Sequence, residues 1–266
     1  MPGPDSRARC EWGLAGLLAL REQVAVLVVV DVLSFSTAVD VAVGRGASVL
    51  PFPSGDPAAV RAEAARQGAV PAVHRGQPGF SLSPASLAAA APGLRLLLPS
   101  PNGSRLSLAG GGLPLLAGCL RNAAAVAGAA LHLAGGGPIG VVPAGEHWPD
   151  GALRPAIEDL LGAGAILCHL GLEPCPEARA ARDAYRAAGQ DVAALVRAGR
   201  SGQELTGRGF SGDVDLAVQD GCSTAAPLLQ DGEFQNYPSR TTISPTKTSP
   251  ADSTRAVIPP RPRTAL

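Results

Sequence analysis

The stretch Val24-Ala25-Val26-Leu27-Val28-Val29-Val30-Asp31 decides how the chain folds. Seven apolar residues in succession, mostly β-branched, cannot alternate between a wet face and a dry one. Such a strand belongs at the centre of a parallel or mixed sheet covered by helices on both faces. It ends on a carboxylate. Residues 36–44 read as a helix, with Ser34 or Ser36 as its cap. Residues 47–52 read as a second strand, and Asp56 opens a helix through Arg66. This β-α-β-α opening predicts a three-layer α/β fold on a mixed, largely parallel sheet.

The rhythm continues outward. Short strands are expected at 69–73, 95–98, 115–119 and 139–143, with a last strand or a helix–strand edge at 225–229. Helices are expected near 84–90, 104–108, 122–133, 155–170, 177–187 and 192–198. The N-terminal run 13–20 follows Arg7 and Arg9, as in a secretory leader. Asp5, Glu11, Arg21 and Glu22 interrupt that pattern, so 11–22 reads as an amphipathic helix. No stretch of about 18 uncharged apolar residues offers a membrane span. A cytoplasmic protein is expected. Five scattered cysteines with no C-x-x-C pair fit a reducing compartment, and exclude a cysteine zinc site or a disulfide framework.

The 266 residues carry 22 basic and 22 acidic side chains. That balance argues against a dedicated nucleic-acid binder. It is a sum of two unlike parts. Residues 237–266 hold six Pro and ten Ser/Thr, with five basic residues against one acid. They are expected to form a disordered tail, leaving an acidic folded domain at 1–236.

Ligands of open α/β sheets gather at the carboxyl ends of strands. Asp31, Ser34, Ser36 and Thr37 follow the first strand. Asn102, Gly103, Ser104 and Arg105 follow the strand ending at Leu98, and Glu146 follows the strand ending near Pro143. Glu158 and Asp159 open a later helix. Hydroxyls, an amide, an arginine and carboxylates suit an oxygen-rich anion and a hard divalent cation, above all Mg²⁺. Taken singly, each also has a plainer reading: Asp31 as a helix cap, Asn102-Gly103 as a turn, Glu158-Asp159 as a solvated pair, and Asp213 and Asp215 as a cap and a surface charge. There is no G-x-x-x-x-G-K-[ST] and no G-x-S-x-G, and the sole lysine is Lys247. A P-loop ATPase is therefore excluded, and an α/β-hydrolase elbow is absent.

Seven segments in order resemble the 2-phosphosulfolactate phosphatase family. They are Val28–Thr37 with its D-V-L core, Gly46–Pro51, Gly79-Phe80-Ser81-Leu82-Ser83-Pro84, Asn102-Gly103-Ser104-Arg105, Cys119–Ala123, Pro143–Glu146 with Glu158–Ile166, and Asp213–Ala217 with Ala226–Gly232. The chain departs from that pattern at Ser34 (Arg in the family), His74 (acidic) and Leu82 (Asn). The resemblance implies a Mg²⁺-dependent hydrolase that cleaves 2-phosphosulfolactate to sulfolactate and phosphate, as in coenzyme M biosynthesis. It also implies a homodimer. Carried onto this chain, it implies Asp31, Glu146 and Asp159 as metal ligands, with Glu158 as a further ligand or general base. Ser34, Ser36, Thr37, His74, Arg75, Asn102, Gly103, Ser104 and Arg105 would form the anion cradle. A non-catalytic binder of an anionic metabolite on the same scaffold is the alternative. The segment D-V-L-S lacks the D-x-D pattern of phosphatases that form an aspartyl-phosphate.

Overall fold

A computed structural model describes residues 7–238. The expected tail lies outside these residues apart from Tyr237 and Pro238. In chain order the elements are β1 (Ala8–Cys10), α1 (Gly13–Leu20), β2 (Val26–Val30), α2 (Phe35–Gly44), β3 (Ser48–Phe52), α3 (Pro57–Gln67), β4 (Val70–Pro71), α4 (Pro84–Leu87), β5 (Arg95–Pro99), α5 (Gly103–Leu108), β6 (Leu115–Gly118), α6 (Ala123–Ala134), β7 (Ile139–Pro143), β8 (Glu146–His147), β9 (Leu153–Arg154), α7 (Ile157–Leu170), α8 (Pro176–Ala188), α9 (Val192–Ala198), α10 (Arg200–Gly207), α11 (Ser211–Ala217), β10 (Pro227–Gln230) and β11 (Glu233–Asn236).

Nine strands form one mixed sheet in the order β1-β7-β2-β6-β10-β11-β3-β5-β4. β2 is fully buried, as its apolar run requires. Its side chains part by alternation. Val26, Val28 and Val30 join α6 and α7 residues such as Val126 and Ile166 on one face. Leu27 and Val29 join Leu17, Leu20 and Val39 of α1 and α2 on the other. These two cores make the three layers.

The sheet holds two parallel sets, β1-β7-β2-β6 and β3-β5-β4, with the β10–β11 hairpin between them pairing antiparallel on both sides. Followed through these pairings, the two sets run in opposite senses. Their carboxyl ends meet nonetheless: Asn102, just after β5, donates to Gly145 O and Glu146, just after β7, and lines the same cleft as Asp31 at the end of β2. Gly103, at the start of α5, lies so close to Phe35 that a Cβ would stand 2.2 Å from the ring.

The structure adds β1, the short β8–β9 hairpin, α10 and β11 to the expected elements. Ser34 sits at the N-cap of α2 but its side chain makes no capping bond. Asp56 caps α3 as expected, accepting from Ala58 and Ala59 N–H.

Candidate active site

β2 delivers Asp31 to its site through a knot of hydrogen bonds written in the following residues. Ser36 Oγ accepts from Asp31 N (3.0 Å) and donates to Val29 O (3.2 Å). Thr37 Oγ1 donates to Val32 O (2.7 Å). Phe35 N donates to Asp31 Oδ1 (3.1 Å). The first turn of α2 is thereby folded back onto the strand, and Asp31 lines a cleft of about 700 Å³. Ser34, His74, Arg75, Asn102 and Glu146 line it too.

Glu146 comes from the segment after β7. Its Oε2 accepts from Asn102 Nδ2 (2.9 Å), which also donates to Gly145 O (3.2 Å). One amide thus fixes the carboxylate and its loop. Gly145 has φ +67°, and a Cβ there would meet Leu153 Cδ1 at 2.8 Å, so the turn requires glycine.

Two more carboxylates lie beneath, on the first turn of α7, where the helix dipole favours negative charge. Asp159 is 3% exposed. Its Oδ1 accepts from Val32 N and its Oδ2 from Gly145 N, each at 2.8 Å, so it clamps the segment after β2 to the one after β7. Glu158 is equally buried, and its Oε2 has no hydrogen-bond partner among the described residues.

The four acids feel one another. Burial, with the Glu158 charge adding to it, raises Asp31 to about 6, against the pull of the Phe35 and Gly103 N–H groups. Burial and the Asp31 charge raise Glu146 to about 7. Burial, then Asp31 and Glu158, hold Asp159 well above the usual carboxylate range. Arg75 draws Asp31 down and Arg154 draws Glu146 down, but Arg75 already pairs with Asp213, itself 2% exposed. Arg75 also donates to Ser34 Oγ (3.1 Å) and Leu82 O (3.2 Å). Asp213 Oδ1 in turn accepts from Ser83 Oγ (2.5 Å) and Ala85 N (3.3 Å).

Such a surplus of negative oxygen suits a hard divalent cation. Among the described residues, however, no three His, Cys, Asp or Glu side chains form a ready metal cage. Of the expected trio, Asp31 and Glu146 line the cleft; Asp159 does not, and each of its oxygens accepts from a backbone amide. Mg²⁺ does not need a cage: it takes one or two carboxylates, keeps several waters and accepts substrate phosphate oxygens. The two carboxylates in the cleft fit that demand.

Six of the expected site residues line the cleft: Asp31, Ser34, His74, Arg75, Asn102 and Glu146. Ser36, Thr37 and Ser104 do not. They are fully buried, and their hydroxyls donate to the carbonyls of Val29, Val32 and Leu98. Gly103 acts through its N–H, which helps hold the Asp31 pKa down. Arg105 is exposed on α5 and lies away from the cleft lining. Glu158 is enclosed below the cleft and does not line it. Sequence reasoning did not single out Ser100, Arg61, Ser201, Glu204 and Arg208, which also line the cleft. It weighed Asp213 as a cap. The signal for a buried partner was its place in Gly212-Asp213-Val214, beside an apolar position.

Fold and site together define an α/β enzyme that works on an anionic substrate at its strand ends. A sequence model of the family described as 2-phosphosulpholactate phosphatase matches residues 17–232. The 2-phosphosulfolactate phosphatase of Methanothermobacter thermautotrophicus (strain ATCC 29096 / DSM 1053 / JCM 10044 / NBRC 100330 / Delta H) is 32% identical over 214 residues, which cover 78% of this chain and 88% of the relative. The chain belongs to the 2-phosphosulpholactate phosphatase family and is a hydrolase of phosphoric monoesters. No helix among the described residues is long and apolar enough to cross a membrane.

Proposed function

We propose that this chain hydrolyses 2-phosphosulfolactate to sulfolactate and inorganic phosphate with the help of Mg²⁺. The observation that carries the reading is the meeting of Asp31 and Glu146 with Arg75 in one cleft, on a chain of this family. Asp31, with Glu146 beside it, would hold the ion. When bound, Mg²⁺ neutralises phosphoryl charge, which is most of what phosphoryl transfer asks of a site.

The chain's own groups do the rest. Arg75, fixed by Asp213, presents its remaining N–H groups to phosphoryl oxygens. Glu146, aimed by Asn102, would complete the ion's site and orient the water held there. Asp159 keeps the two loops at a fixed spacing. Glu158 adds negative charge below Asp31, which favours a cation above it. A cytoplasmic location and a homodimer belong to the same reading.

Phosphate release from 2-phosphosulfolactate, with Mg²⁺ and with a chelator, tests it. Turnover that depends on the metal is the expected result. Turnover unaffected by the chelator removes the ion from the reading. Anion binding without any phosphate release makes the protein a binder on a phosphatase scaffold.

A further inference from the structure

The arginines of the cleft are held in different ways. Arg75 is enclosed by Asp213, Ser34 and the Leu82 carbonyl. Arg208, just past the end of α10, shares its platform. The Arg75 guanidinium carbon lies 5.4 Å from the centroid of the Phe210 ring, and that of Arg208 lies 5.7 Å from the same centroid. Both residues line the cleft. Two like charges on one ring repel, and an arrangement of this kind needs a compensating anion. Asp213 supplies it for Arg75. Among the described residues no carboxylate lies within ion-pair distance of Arg208. The acid one turn back, Glu204, is engaged by Arg200 at 2.8 Å. The aromatic ring gives the Arg208 guanidinium an apolar neighbour and a weak electrostatic attraction.

We infer that Arg208, seated on Phe210, forms a second anion subsite in the cleft. It takes the carboxylate or the sulfonate of a small substrate whose phosphate lies at Asp31 and Arg75. The identity of that group rests on the phosphatase reading given above. Arg208 is then a specificity residue: it selects phosphate esters that carry another acidic group over simple ones.

The test compares wild type with Arg208→Gln on three esters: 2-phosphosulfolactate, 2-phospholactate (no sulfonate) and O-phosphoisethionate (no carboxylate). Arg208 is exposed, so the variant is expected to fold, and a melting curve checks this. With 2-phosphosulfolactate, KM is expected to rise about 10- to 100-fold while kcat moves little. The penalty is expected to shrink on whichever analogue lacks the group that Arg208 holds, which also tells sulfonate from carboxylate. Equal penalties on all three esters, or none on any, overturn the subsite. Calorimetric binding of sulfolactate separates this inference from the phosphatase reading. If wild type binds sulfolactate and Arg208→Gln does not, the subsite stands even when no phosphate is released. If wild type releases phosphate but binds sulfolactate no better than the variant, the subsite falls and the hydrolase stands.

Discussion

Two pairs of carboxylates share one corner of the molecule and are held in opposite ways. Asp31 and Glu146 line the cleft on segments after different strands, each with one oxygen held by a hydrogen bond. Glu158 and Asp159 are neighbours in sequence, enclosed on the first turn of α7. Asp159 has both oxygens bound to backbone N–H groups, whereas Glu158 keeps one oxygen unpartnered. In the proposed reading the lower pair sets the field beneath the cleft and the upper pair meets the substrate. A buried carboxylate is thus a different instrument according to whether its lone pairs point at amides or at a cavity.

The sharpest way to break this division is to neutralise each layer. Asp31→Asn and Glu146→Gln are expected to lower kcat by about 10²- to 10⁴-fold, with melting temperature unchanged or raised. Full activity in both variants would move the chemistry elsewhere. Asp159→Ala should act mainly on stability. It leaves two buried amides without acceptors, and chemical denaturation is expected to show a loss of about 3 kcal/mol. A loss of activity in the folded protein with no change in stability would give Asp159 a chemical role instead.

The upper pair should also leave its mark on stability without metal. An acid whose folded pKa lies above its unfolded value binds its proton more tightly when folded. The stability it contributes is fully present below about pH 4 and is lost as pH rises through about 6 for Asp31 and about 7 for Glu146. For Asp31 that amounts to about 3 kcal/mol. Melting curves in chelator should therefore fall between pH 4 and 7, and Mg²⁺ should restore more at pH 7.5 than at pH 5. A flat profile contradicts the shared field. The smallest expected effect is that of Glu158→Gln. Removing its charge lowers the pKa of both cleft acids, so the acidic limb of the rate profile should move to lower pH by a few tenths of a unit.

Much of this was legible in the chain. The 24–30 run could only be a covered central strand, and Asp31 at its end could only sit at the sheet's carboxyl edge. Glu146 and Asn102 were visible by the same rule. What sequence could not give is where a hydroxyl points. Ser36, Thr37 and Ser104 look like anion ligands by type, yet strand and turn carbonyls nearby claim their protons. Nor could it give pairs made across long separations, such as Arg75 with Asp213. β1 has three residues, one of them arginine, too short for a period to show. The hairpin near the end of the described chain was missed: Asp231-Gly232, both at positive φ, is a two-residue turn, and it extends the last strand into a pair.

That hairpin carries a consequence for how the molecule comes into being. Every residue named at the cleft lies at or before position 213, but β10 and β11 occupy 227–236. A ribosome therefore releases the residues of the cleft before the two half-sheets are joined. Until then β6 and β3 each present an open edge, and Phe35, behind Asp31, lacks Phe234, which packs edge-on against it at 6.0 Å. The nascent chain carries its cleft residues early and gains the hairpin that joins the half-sheets after them.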